Sequence, residues 1–163
     1  VRLPIDEKVL WHENGEKDKE AFSYLHKGIR WALQNDLKVI VDLHIVRSHY
    51  FNAGHDGKKN LLWESAEAQA HFLQLWQELV QELKEYPTSD VAYEIMNEPT
   101  APNHEDWNKL VEKAYQVIRK VEKERVLVPG EKQPVHDRGQ PVLFRNLGFA
   151  QGYGIAKCLG CQV

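Results

Sequence analysis

Apolar residues in this chain come in two kinds of run that alternate from the first residue to about residue 128. Short, nearly continuous runs are followed by longer stretches in which apolar positions recur every three or four residues, the period of a helix with one buried face. Val1-Arg2-Leu3-Pro4-Ile5 is the first short run, closed by Pro4. Residues 6–16 are polar and hold the turn pair Asn14-Gly15, so a loop is expected there. From about Asp18 to Asn35, Phe22, Leu25, Ile29 and Leu33 mark a helix, with Tyr24 and Trp31 off the stripe. Leu37 to His44 is the next strand, and its continuous apolar character fits a parallel strand covered on both faces.

Leu61-Leu62-Trp63 leads into a long helix from about Ser65 to Tyr86, with Ser65 as N-cap and a stripe of Phe72, Leu75, Trp76, Leu79 and Leu83. Pro87 ends it. Val91 to Met96 alternates as a strand until Asn97-Glu98-Pro99 stops the pattern, because proline has no N–H to continue a ladder. A further helix spans roughly Glu105 to Glu124, with Asn103 as N-cap, Asp106 as an acidic capping-box partner and Trp107, Leu110, Val111, Ala114, Val117, Ile118 and Val121 inward. Arg125 to Val128 is the last strand. This order predicts an α/β fold with parallel strands and right-handed crossovers.

Composition narrows the class without naming it. The chain has 163 residues, a formal net charge of −3 and 42% hydrophobic residues, enough for one domain with a core. No basic stripe suits a nucleic-acid partner, and no apolar run approaches the roughly 20 residues that span a bilayer. The sequence opens at Val1, inside a strand-like run and without Met, so it reads as a fragment or a processed product.

Candidate chemistry gathers at strand ends. Glu98 follows a strand directly, where parallel α/β folds place their reactive groups. Ile40, Asp42 and His44 share one strand face, and two polar side chains in a row there point into a site. Asn-Glu-Pro by itself is also an ordinary strand-to-loop turn. His44, His49, His55 and Asp56 could be read as metal ligands, but their spacing matches no tight ligand motif, so no metal is expected.

The ten residues Val91-Ala92-Tyr93-Glu94-Ile95-Met96-Asn97-Glu98-Pro99-Thr100 resemble the signature of glycoside hydrolase family 5, the cellulase and mannanase family of (β/α)8 barrels. The resemblance implies that Glu98 is the general acid/base and that Asn97 holds the sugar's 2-hydroxyl. Val1–Ile5 is similar to the family's second strand, whose Arg, here Arg2, supports the catalytic carboxylates. Val41-Asp42-Leu43-His44 is similar to its third strand, whose terminal His contacts substrate. The family often has a second His next; here that position is Ile45, and His49 is a candidate substitute from the loop. Tyr93 and Met96 read as packing, Glu94 as a buried supporting carboxylate. Trp11 could stack on a pyranose, although a tryptophan packed under its loop is the commoner case.

The expected architecture is thus a partial (β/α)8 TIM barrel over residues 1–128, about four parallel βα units, with an irregular tail over 129–163. A complete barrel needs about 250 residues. Two open sheet edges predict self-association, a missing half, or cover by the tail. The family's nucleophile, a Glu on the seventh strand, is not in this sequence, and Asp42 and Glu94 do not match its motif. Two functions follow: hydrolysis of β-1,4 bonds in β-glucan by a retaining mechanism, with the nucleophile lying outside the chain, or an inactive hydrolase fragment that at most binds glycans. No cofactor is expected, the partner is a β-linked poly- or oligosaccharide, and secretion is implied by the resemblance alone. A phosphate-binding (β/α) enzyme ranks below both, since Gly148, Gly152 and Gly154 follow no clear strand. Cys158-x-x-Cys161 is half a zinc site at best, more simply two tail cysteines.

Overall fold

The structure, a computed structural model, describes residues 1–49 and 60–130. His55 and Asp56, the tail from residue 131 and the cysteine pair lie outside the described residues. Four parallel strands form one sheet in sequence order: β1 (Arg2–Asp6), β2 (Val39–Ile45), β3 (Val91–Glu94) and β4 (Leu127–Val128). Between them run α1 (Glu7–Leu10), α2 (Lys19–Gln34), α3 (Ala66–Leu83) and α4 (His104–Arg119), with a 3₁₀ turn at Leu61–Trp63.

The period-two rule divides each strand between two environments. Val39, Val41 and Leu43 on β2 are at most 1% exposed and pack on the helical side, as do Val91, Tyr93 and Ile95 of the third strand segment. Each such aliphatic burial stabilises by about 1.5–3 kcal/mol. Ile40, Asp42 and Glu94 take the other face, and the register sets Pro4, Asp42, Glu94 and Val128 side by side. That row is the inner face of a barrel segment.

Helix boundaries follow the capping residues. The side chains of Asp18, Ser65 and Asn103 each accept a backbone N–H three residues on, at the starts of α2, α3 and α4. At the end of α2, Asp36 takes a left-handed φ of +56°, and Leu37 N–H reaches Ala32 O at 3.0 Å, a Schellman-type stop. Trp76 of α3 is fully buried, and its indole N–H donates to Ile95 O at 3.0 Å. The helix thereby supplies a partner to a carbonyl where the β3 ladder ends.

Three expectations change. Residues 6–16 were expected as loop, yet Asp6 caps the one-turn helix α1, and its Glu7 is 1% exposed. The last helix ends at Arg119 rather than Glu124. The strand expected over 125–128 is reduced to Leu127–Val128, because Arg125 turns into the core. Its guanidinium donates to the carbonyls of Tyr86, Pro87 and Val91 and pairs with Glu122. Trp11 is 2% exposed, edge-on to Phe22 with its N–H on Glu78 at 2.7 Å, so it packs under its loop.

Candidate active site

Arg2, Asp42, His44 and Glu94 come from three neighbouring strands and meet Asn97, from the turn after β3, on the inner face. Arg2 Nε donates to Glu94 Oε2 at 2.7 Å and Nη2 to Oε1 at 2.9 Å, a forked pair. Nη2 also reaches Asn97 Oδ1 and Asp42 Oδ2, each at 2.9 Å. Hydrogen bonding to Glu94 raises the Arg2 pKa; burial opposes it, and the charges of Asp42, Glu94 and Glu98 add to the rise. One arginine thus orients three acceptors.

Asp42 is wholly buried. Burial pushes its carboxyl above the usual carboxylate range; the His44 hydrogen bond pulls it back, Glu94 pushes it up and Arg2 opposes. His44 Nδ1 lies 2.6 Å from Asp42 Oδ2. Asn97 is 8% exposed. Its Oδ1 accepts from Arg2, which turns the amide Nδ2 donor away from the guanidinium.

Glu98 follows with a φ of +39°, a left-handed backbone that costs a non-glycine residue about 1–2 kcal/mol. Pro99 is buried beside it, and Gly130 backs the turn so closely that a Cβ there would meet Met96 O at 2.0 Å. The bend lifts the Glu98 side chain out of the strand alternation.

His49, the candidate substitute from the loop, packs against Trp63 and Thr100. It is 3% exposed and edge-on to Trp63. Its Nε2 lies 3.1 Å from Thr100 Oγ1 and accepts the Thr100 backbone N–H at 3.1 Å. Burial lowers its pKa to about 4, which suits an acceptor nitrogen. A second buried cluster went unread in the sequence. Glu7 accepts from Arg47 N at 2.7 Å, Arg47 Nε at 3.1 Å and His71 Nε2 at 2.7 Å. Among the described residues no group of three or more His, Cys, Asp or Glu could hold a metal ion.

A parallel sheet with a carboxylate, amide and histidine cluster at its strand ends carries polar groups where (β/α)8 barrels place their active sites. The sequence profile of cellulase (glycosyl hydrolase family 5) matches residues 1–147, continuing past Val128, where the strand pattern gives out. The chain belongs to glycoside hydrolase family 5. Endoglucanase C of Acetivibrio thermocellus is 28% identical over 134 residues, covering 80% of this chain and 37% of that protein. A cellobiose complex of Thermotoga maritima Cel5A superposes with a TM-score of 0.62 at 28% identity, over 78% of this chain and 38% of that one. A mannotriose complex of the same enzyme gives a TM-score of 0.66 at 25% identity, over 90% and 46%. The chain therefore spans less than half the length of these relatives and forms part of the TIM-barrel fold.

Proposed function

We propose that the chain carries the proton-donor side of a retaining β-1,4-glucanase, with Glu98 as general acid/base. The cluster that Arg2 organises beside Glu98 carries this reading. Glu98 would hand its proton to the leaving glycosidic oxygen and then take one from the water that releases the sugar. The Asn97 amide, held by Arg2 through Oδ1, keeps Nδ2 for the sugar's 2-hydroxyl. His44, steadied by Asp42, contributes a substrate contact at the end of β2.

A retaining enzyme needs a second carboxylate about 5–5.5 Å from the first. Glu94 spends both oxygens on Arg2, and Asp42 is sealed from solvent. Neither suits a nucleophile, so we assign that role outside the described residues. The same observation favours the second reading, a fragment that binds β-glycans without cleaving them. We extend secretion and a β-glucan substrate to the chain from its family. No helix among the described residues is long and apolar enough to cross a membrane.

Reducing-sugar release from soluble β-glucan and β-mannan, by the 163-residue chain and its Glu98→Gln variant, tests both readings. Turnover lost in the variant supports the acid/base assignment, and turnover retained in it refutes that assignment. Glycan binding without turnover in either protein selects the second reading.

A further inference from the structure

Glu98 sits in a backbone conformation that it would not choose alone, so something must hold each side of it. Upstream, Asn97 is tied to Arg2 through its side chain and lies 3.5 Å from Leu43 O through its N–H. Downstream, Pro99 has no N–H to offer, and the next donor is Thr100 N–H, which goes to His49 Nε2. Thr100 Oγ1 meets the same nitrogen and also accepts from Asn60 Nδ2 at 3.0 Å.

His49 is itself on a fixed platform. Its N–H closes a tight turn onto Val46 O at 3.0 Å, and Leu62 N–H bonds Ser48 O at 3.0 Å. The turn is anchored through Arg47 to the buried Glu7, which His71 of α3 also holds. A continuous set of contacts therefore runs from α1 and α3 through the 46–49 turn to the residue two beyond Glu98.

We propose that His49 is a positioning residue for Glu98, acting through Thr100 to hold the left-handed turn that presents the carboxyl. It does not touch substrate. The neutral imidazole is required because Nε2 must accept from the Thr100 amide; a protonated ring would set two donors face to face. The Glu98 role rests on the reading above, whereas the clamp itself is a statement about backbone geometry.

The test is solution NMR on the full 163-residue chain, comparing the parent with His49→Ala and His49→Gln. Two signals matter: hydrogen exchange at the Thr100 amide, and the backbone carbon shifts of Glu98, which separate left-handed from extended conformations. In His49→Ala, Thr100 exchange should rise tenfold or more and the Glu98 shifts should leave the left-handed range. The amides of Val41 and Tyr93 should keep their protection. His49→Gln places an amide oxygen near the lost acceptor and should restore both signals at least partly. Unchanged Thr100 exchange and Glu98 shifts in a folded His49→Ala overturn the proposal, as does an equal loss of protection across Val41, Tyr93 and Thr100. If His49→Ala does not fold, Thr100→Ala and Asn60→Ala, which loosen only the hydroxyl arm, must move the same signals in the same direction; their failure to do so also overturns it. These readouts need no turnover. Hydrolysis that survives Glu98→Gln would refute the acid/base reading and leave the clamp result standing.

Discussion

Arg2 and Glu94 lie on strands that do not pair, yet they form a forked ion pair at 2.7 and 2.9 Å across the intervening β2. The bridge is possible because both side chains leave the inner face and Asp42 between them carries like charge to Glu94. Two carboxylates so close repel unless a cation is shared. Replacing Arg2 with Met should therefore push the already raised Asp42 carboxyl further up, which a carbon-detected NMR titration reads. Arg2 is 40% exposed at its side chain, so the stability cost should stay within about 1 kcal/mol. Arg2→Lys should keep the charge but lose the fork, and the Asn97 amide should reorient.

Arg125 is the opposite case, with no exposure at all. It satisfies three carbonyls and Glu122, and its guanidinium lies 4.9 Å from the Tyr93 ring centroid. Arg125→Ala leaves those carbonyls and a nearly buried carboxylate without partners, at a cost of about 3–5 kcal/mol. Urea denaturation should show the loss, and the double variant Arg125→Met/Glu122→Leu should recover part of it. Equal stability of Arg125→Ala and the parent would mean the site is open to water.

These two arginines show what the sequence could and could not disclose. Strand and helix order was readable because apolar period and caps are local: Asp18, Ser65 and Asn103 sit one position before the helices they start. Arg2 could be singled out only through the ten-residue signature and the family's second strand, since its partner Glu94 is 92 positions away. Arg125 looked like an ordinary strand residue, because the carbonyls it satisfies carry no sequence signal. Glu7 was hidden for the same reason: one turn of helix among charged residues has no period. His49 was noticed for its chemistry, whereas its packing against Trp63 and Thr100 rests on contacts distant in the sequence. The β2 site face was legible from Asp42 and His44 alternating on an apolar strand.

Gly130 offers a way to disturb the Glu98 turn from behind. Its φ is +88°, and a Cβ would fall 2.0 Å from Met96 O and 3.7 Å from Pro99 Cδ. Gly130→Ala must therefore shift backbone, not a flexible side-chain tip, and strain of about 1–3 kcal/mol is expected. The displaced segment is Met96–Pro99, so the loss should appear as a lowered thermal midpoint together with changed amide shifts at Asn97 and Glu98. Gly15, at φ +83° with nothing within 4 Å of its would-be Cβ, is the control. Gly15→Asn should change stability little and leave those shifts alone.

The low pKa of His49 gives stability a pH dependence whose sign is determined. The folded state keeps the imidazole neutral down to about 4, while the unfolded chain protonates near the ordinary value of 6.5. The unfolded state thus binds more protons between those values, and stability falls as pH drops through that window. The full contribution is present above 6.5 and is spent at about 4. A difference of that size corresponds to about 3 kcal/mol. Asp42 acts with the opposite sign: its raised pKa lets the folded state take up a proton first, which favours folding as pH falls toward the ordinary carboxylate value of 3.8. Urea denaturation of the parent at pH 7 and 4.5 should show a loss that His49→Gln, having nothing to titrate at that position, largely lacks. A parent and variant that weaken in parallel would place the acid sensitivity elsewhere.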